Sequence, residues 1–325
     1  MKTTAIAPSN VALIKYWGKR NERLRLPLNG TVSVNLSNLL TKTTVEFSSK
    51  YKEDDIVINR RKNLKEIGKV VKHLDRVRKM ANINEKAKVV SLSNFPPDSG
   101  LASSASGFAA LTLAAAKSAG LNLSKRELSI LSRIGSGSAC RSIPDGFAEW
   151  KKGSDSDTSY AVSIFPSDYW AINFIAVIIK GGIKNISSTS GQEIAKTSPF
   201  LKERLNLIDG KIKKVKKFIR EKNFKSLGEI VEADALELHA IALTSRPSII
   251  YWEPGTVKVM KLIQELRKKG MPCYFTIDAG YNVYVVCERK NIRNIIRALK
   301  KIEEVERLIV NAPGRGAYFS SKHLF

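Results

Sequence analysis

Cysteine and histidine are scarce in this chain, with three of each in 325 residues. So few thiols cannot build a disulfide framework, and neither residue type clusters at a spacing that suits a metal, so secreted-scaffold and zinc-site classes are set aside. Acidic residues are also thin: 30 Asp+Glu stand against 55 Lys+Arg, a formal charge of +25. Long apolar runs are missing as well. None reaches the ~20 residues that a membrane span needs, and Lys15 interrupts the N-terminal stretch before it can form the apolar region of a secretory signal. These absences predict a soluble, cytoplasmic protein. Its hydrophobic content of 43% is enough to fill substantial cores, which excludes disorder for most of the chain. The positive excess suits an anionic partner: a phosphorylated small molecule, nucleic acid or acidic lipid.

The length predicts about two domains. Alternating segments such as Thr31–Leu36 and Thr43–Phe47 predict antiparallel strands early in the chain. Apolar residues at spacings of three and four between Lys62 and Ala81 predict a helix with one buried face. A strand around Val89–Leu92 then leads through a Pro/Gly/Ser turn into a small-residue helix ending near Ala116. The apolar run Trp170–Ile179 predicts a buried strand and marks the boundary, giving an N-terminal unit of residues 1–170 and a C-terminal unit of 171–325. In the second unit, two helical patterns (Leu205–Ile219 and Leu227–Leu238) predict an antiparallel pair. A helix over Val257–Lys268, strands over Cys273–Ile277 and Asn282–Cys287, and a closing helix over Ile292–Lys301 complete it. The class is α+β, with a ligand cleft expected between the units.

Four segments have residue types suited to chemistry. Pro96–Gly107, between a strand and an Ala-rich helix, offers small residues, serine hydroxyls and a helix start that favours phosphate. It lacks the Gly-Lys-Ser/Thr of a Walker loop, and capping plus tight packing explains such a loop equally well. In Ala7–Arg20, strand alternation puts Lys15, Trp17 and Lys19 on one side and Tyr16 on the other unless Gly18 bends the chain, so the two lysines can grip one anion. Edge-strand lysines are also ordinary guards against aggregation. Gly135–Ser142 combines flexible backbone, hydroxyls and Arg141, whose guanidinium fits an oxyanion with two prongs; a plain solvent loop is the alternative. Asp278, between two apolar strands, can take a proton from a hydroxyl, with Lys15 or Arg141 as the cation that keeps it ionised. Asp before Ala-Gly is also a common turn residue. Cys273 and Cys287 lie equally far from Gly280 and are expected to face each other as buried thiols, although a disulfide there is geometrically conceivable. The basic stretches Arg60–Lys88 and Lys202–Lys225 coincide with amphipathic helices and lack interleaved aromatics, so they read as solvated faces rather than a nucleic-acid groove.

Taken in order, Ser9-Asn10 with Lys15–Arg20, Gly100-Leu101-Ala102-Ser103-Ser104-Ala105, Gly135–Arg141 and Asp278-Ala279-Gly280 resemble the diphosphomevalonate decarboxylase family of the GHMP kinase superfamily. The second segment marks the whole superfamily and the third this branch. The resemblance implies a two-domain GHMP-kinase-like α+β fold with the active site in the cleft. It also implies MgATP-dependent phosphorylation of the tertiary hydroxyl of mevalonate 5-diphosphate, followed by loss of phosphate and CO₂. By position it assigns Asp278 as acid-base or orienting carboxylate, with Lys15 near the transferred phosphoryl group. Arg141 and Asn10 would hold the substrate carboxylate. The substrate segments are Tyr16, Trp17, Gly18 and Lys19, then Ser136, Gly137, Ser138, Ala139 and Cys140, and lastly Thr189. Gly100, Leu101, Ala102, Ser103, Ser104 and Ser106 would serve ATP, with Ser103 or Ser104 on Mg²⁺. The expected partner is a phosphorylated small molecule, with no specific nucleic acid, no membrane and a homodimeric assembly. Two departures stand out: Ser142-Ile143-Pro144-Asp145-Gly146-Phe147 replaces an aromatic followed by Gly-Gly, and Tyr281 stands where the family commonly has Pro. The rivals are a kinase or monophosphate decarboxylase of the same superfamily and a basic nucleic-acid-binding protein.

Overall fold

A computed structural model of the protein describes residues 1–95, 103–181 and 186–325. The chain runs β1 (Thr3–Ile14), β2 (Lys19–Asn21), β3 (Leu26–Pro27), β4 (Thr31–Phe47), β5 (Asp55–Ile58), α1 (Leu64–Ala81), β6 (Ala87–Ser93), α2 (Ser103–Ser118) and α3 (Lys125–Gly135). A 3₁₀ turn (Gly137–Ser142) precedes β7 (Phe147–Trp150) and β8 (Ala161–Phe165). The second half runs β9 (Ile172–Ile179), α4 (Ser188–Ile194), α5 (Leu201–Arg220), α6 (Phe224–Thr244), α7 (Pro254–Lys268), β10 (Cys273–Ile277), β11 (Val283–Glu288), α8 (Ile292–Leu299), β12 (Val305–Asn311) and β13 (Tyr318–Ser320).

Two sheets organise these elements. The first has the order β13-β1-β4-β6-β5, with β7 also on β4 and β8 on β7. The second is β10-β11-β9-β12, antiparallel throughout. The boundary expected at 170/171 falls between the last of these consecutive strands of the first sheet and the first strand of the second. The tail then crosses back: β13 pairs with β1 through Thr4↔Ser320, so the last residues of the expected 171–325 unit belong to the first sheet. Neither β12 nor β13 was foreseen from the sequence. β12 has exposed residues where a buried strand would be uniformly apolar, and β13 is only three residues long.

Three apolar layers hold the sheets and helices together. Helices α1, α2 and α3 cover one face of the first sheet, where the alanines of α2 allow close approach to Ala5, Ala7 and Val45. The opposite face, through Leu13, Val32 and Val34, packs on Phe174 and Ala176 of β9 and on Ile208, Ile212 and Val215 of α5, forming one core shared by both units. The far face of the second sheet is closed by α7 and α8. Ala5 and Ala7 face the helices, whereas Val11 and Leu13, of the same parity, face the second unit. The pleat alone forbids that. A register irregularity between Pro8 and Asn10 inverts the strand, as bulges beside functional sites commonly do, and turns Asn10 toward the 3₁₀ turn.

The α5 and α6 patterns form the expected antiparallel pair, tied by Arg204 to Asp234 and Glu237. Cys273 and Cys287 are register partners across β10 and β11, and both are buried and free. Phe174 is fully buried in the shared core. Phe174→Ala is therefore expected to cost about 3–5 kcal/mol of stability, the range for a large aromatic removed from a packed interior. Chemical denaturation measures it, and a loss below about 1 kcal/mol would contradict a continuous core between the units.

Candidate active site

β1 stops at Ile14, whose ladder partner is Val32, and the next four residues leave the sheet. Gly18 adopts φ +94, in the left-handed region that glycine tolerates. The strand alternation expected through Lys19 therefore ends early. Lys15 turns to the second unit, where its Nζ donates to Asp278 Oδ1 at 2.6 Å and to the Ala12 carbonyl at 2.8 Å. Half-buried Tyr16 sets its ring edge-on to Trp150, with centroids 4.6 Å apart. Trp17 enters an apolar cluster with Ala195, Leu238 and Tyr251. Lys19, also buried, pairs with Glu22.

Arg141, on the buried 3₁₀ turn, donates from Nε to Asn10 Oδ1 at 3.0 Å and from Nη1 to Thr31 Oγ1 at 2.9 Å. Asn10 in turn donates to the Ser138 carbonyl at 3.1 Å and Ser142 Oγ at 2.8 Å. Gly137 lies under Tyr16, because a Cβ there would come within 2.9 Å of the ring. Ser136 Oγ is 3.3 Å from Ser104 Oγ, which joins this turn to the start of α2. Ser103 and Ser104 also line a cavity of about 190 Å³ between α1, α2 and the strands carrying Thr41, Thr43 and Ser91. Thr189 is exposed on the short helix α4, which packs through Gly191 on Trp17.

Burial dominates the electrostatics. It pulls the Lys15 ammonium below its ordinary pKa; Asp278 and then Asp234 oppose that fall, while Arg141 adds to it. Burial also lowers the pKa of Arg141, against the pull of Cys140 and Asp278, and raises that of the Tyr16 phenol. The result is a sequestered cationic pocket in which Asp234 is fully buried and the Asp278 side chain is 22% exposed. Such a pocket favours a small polyanion and can accept a proton from its alcohol.

Packing decides where several of the expected contact residues sit. The Ser106 hydroxyl is buried, 2.7 Å from Thr41 Oγ1, and donates to the Ser103 carbonyl. It fixes α2 to β4 instead of facing the cavity. Ala139 and Cys140 are fully buried, the Cys140 thiol donating to the Gly137 carbonyl. Trp17 is 1% exposed. These side chains are walls of the site. Gly100, Leu101 and Ala102 lie outside the described residues. In the departing segment, Asp145 accepts from the Ser167 and Gly316 amides, so it fastens the turn to the C-terminal tail. Tyr281 lays its ring against Gly181 and accepts from Thr256 Oγ1 through its carbonyl.

Sequence reasoning overlooked two residues. Asp234 and Arg204 form a buried ion pair, and Asp234 Oδ2 accepts the Lys15 amide at 2.7 Å. A signal for them was present. Arg204 falls in the buried stripe Leu201, Ile208, Ile212 of α5, and Asp234 in the stripe Leu227, Val231, Leu238 of α6. A charge in an apolar stripe requires a partner.

Burial lifts the Cys273 thiol to about 11 and those of Cys140 and Cys287 to about 12. None is a thiolate at pH 8, so iodoacetamide should label none of the three in native protein and all three in denaturant. Rapid native labelling would contradict this packing.

Comparisons with known proteins bear on the whole chain. Residues 7–161 match the diphosphomevalonate decarboxylase-like N-terminal domain, and residues 174–313 match the mevalonate 5-diphosphate decarboxylase C-terminal domain. The diphosphomevalonate decarboxylase of Candida albicans is 34% identical over 91% of this chain and 86% of its own length; that of Bos taurus is 32% identical over 91% and 79%. Among solved structures, mevalonate diphosphate decarboxylase from Staphylococcus aureus superposes with a TM-score of 0.94 at 39% identity, covering 98% of both chains. MDDEF in complex with MVAPP, AMPPCP and magnesium gives 0.94 at 41% identity over 99% of both. With both halves of the chain matched and relatives this similar along nearly its whole length, the protein belongs to the diphosphomevalonate decarboxylase family.

Proposed function

We propose that Asp278, Lys15, Arg141 and Asn10 carry out in this chain the reaction of its family, the ATP-dependent decarboxylation of mevalonate 5-diphosphate. The products are isopentenyl diphosphate, ADP, phosphate and CO₂, an early step of isoprenoid synthesis. The observation that carries the assignment is the 2.6 Å contact between Lys15 Nζ and Asp278 Oδ1, beside the Arg141–Asn10 pair.

Asp278 accepts or orients the proton of the C3 hydroxyl, and Lys15 neutralises oxygens of the transferred phosphoryl group. Arg141 and Asn10 hold the substrate carboxylate until the C–C bond breaks. Its electron pair then forms the alkene as phosphate leaves C3, and Asp278, once it has passed the hydroxyl proton to a phosphate oxygen, is again a carboxylate that stabilises positive charge developing there. Tyr16, Lys19, Ser136 and Ser138 are assigned to the diphosphate end, and Thr189 to the substrate rim. Ser103 and Ser104, which line the cavity, are assigned to the nucleotide and its metal.

The donor set fits Mg²⁺ bound with ATP. Ser103 and Ser104 bring hydroxyl oxygens to the cavity lining, and Mg²⁺ commonly takes most of its ligands from phosphates and water, with few from protein. MgATP supplies the phosphoryl group and charge compensation. Cytoplasmic location and a homodimer are part of the same proposal. Among the described residues no helix is long and apolar enough to cross a membrane.

Asp278→Asn is expected to keep its fold and ATP binding while losing most turnover, read as ADP and CO₂ released together from MgATP and mevalonate 5-diphosphate. Near-wild-type rates would remove Asp278 from the chemistry, and ADP without CO₂ from the unaltered protein would demote it to a kinase. Arg141→Lys should lower turnover by about tenfold or more, because a point charge cannot reproduce a two-pronged guanidinium contact. Unchanged kinetics would refute the carboxylate clamp.

A further inference from the structure

We propose that Arg204 and Asp234 are positioning residues for Lys15: a buried ion pair, contributed by α5 and α6, grips the Lys15 main chain from both sides and so aims its ammonium at Asp278. This inference rests on the role given to Lys15 above.

Lys15 sits one residue beyond the end of β1, where the ladder no longer supplies partners for its amide and carbonyl. Both groups are nevertheless bonded. The amide donates to Asp234 Oδ2 at 2.7 Å. The carbonyl accepts from Arg204 Nη2 at 3.3 Å and from Asn29 Nδ2 at 3.1 Å. The two clamping side chains are themselves joined as a fork, with Nη1 at 2.9 Å from Asp234 Oδ1 and Nη2 at 3.1 Å from Oδ2. Arg204 Nη1 also reaches Glu237 Oε2 at 2.9 Å. Lys211 pairs with Glu237 and lies 3.9 Å from Asp234 Oδ1. The clamp therefore fixes the backbone from which Nζ reaches Ala12 and Asp278.

Packing alone does not explain the pair. Both residues occupy core-facing phases of their helices, where apolar side chains would pack without the desolvation that two buried charges incur. What an apolar pair cannot do is satisfy the amide and carbonyl of a residue that has left its sheet.

Asp234 also acts through its charge. The charged groups facing Lys15 are Asp278 from the β10–β11 turn, Asp234 from α6, Arg204 from α5 and Arg141 from the 3₁₀ turn. Burial depresses the Lys15 pKa, and the two carboxylates oppose that shift. Loss of the Asp234 charge takes away one of the carboxylates that hold the ammonium protonated, so it releases its proton at lower pH. A residue that served only to stabilise the fold would leave that pH unchanged.

The test compares Asp234→Asn, the charge-balanced double variant Asp234→Asn/Arg204→Gln, and Lys15→Met. Folding is checked by near-UV circular dichroism, and nucleotide binding by calorimetry with AMPPCP and Mg²⁺. For Asp234→Asn, kcat is expected to fall about 10- to 100-fold with KM for ATP within about threefold, the pattern of a misplaced catalytic group. The alkaline limb of its kcat–pH profile should move to lower pH. In the double variant the limb should return toward wild type while kcat stays low. Wild-type kcat and an unmoved limb in folded Asp234→Asn, alongside inactive Lys15→Met, would overturn the inference and leave the role of Lys15 standing. Should the single variant not fold, wild-type kcat in the double variant overturns it instead. Full turnover by Lys15→Met would sink the role of Lys15 itself.

Discussion

The contact on which the candidate site depends is the ion pair between Lys15 and Asp278, because it joins the end of a strand in one sheet to a turn of the other. Charges taken out of water need several compensating partners. Lys15 has a carbonyl, a carboxylate and a clamped backbone around it. Those partners come from β1, α5, α6 and the β10–β11 turn, so the contact can form only when both units are docked. The shared apolar core between them, built on Leu13, Phe174 and Ile212, supplies that docking. Core and site are therefore coupled, because both span the same two units.

The same coupling explains the broken alternation of β1. A regular strand would keep Asn10, Ala12 and the helix-facing Ala5 and Ala7 on opposite faces. The irregularity between Pro8 and Asn10 brings the Asn10 amide to Ser138, Ser142 and Arg141, while Leu13 stays in the shared core. One strand thus serves the helix layer, the candidate site and the inter-unit core in succession. Strict periodicity is given up where a functional side chain must be aimed.

The large positive charge divides into two populations. Exposed lysines lie along α1 and α5, whose apolar stripes face inward. These are the solvated helix faces expected from the spacing. Lys15 and Arg141 are buried and act at short range, where the low dielectric makes each contact count for more than it would at the surface. The surface excess raises the local concentration of anions in general, whereas selection of one anion is the role proposed for the buried Lys15 and Arg141.

Periodicity and motif order by themselves determined the α+β class, the helices α1, α5, α6 and α7, the β10–β11 hairpin with opposed cysteines, and the family of the four segments. Those features arise from local spacing, which is a property of the chain. What folding in three dimensions added is that Lys15 meets Asp278, that Trp17, Ser106 and Cys140 turn inward, and that β13 returns to the first sheet. It alone paired Arg204 with Asp234, although each breaks its own apolar stripe. Such outcomes rest on contacts between residues up to hundreds of positions apart, and no window of sequence contains both partners.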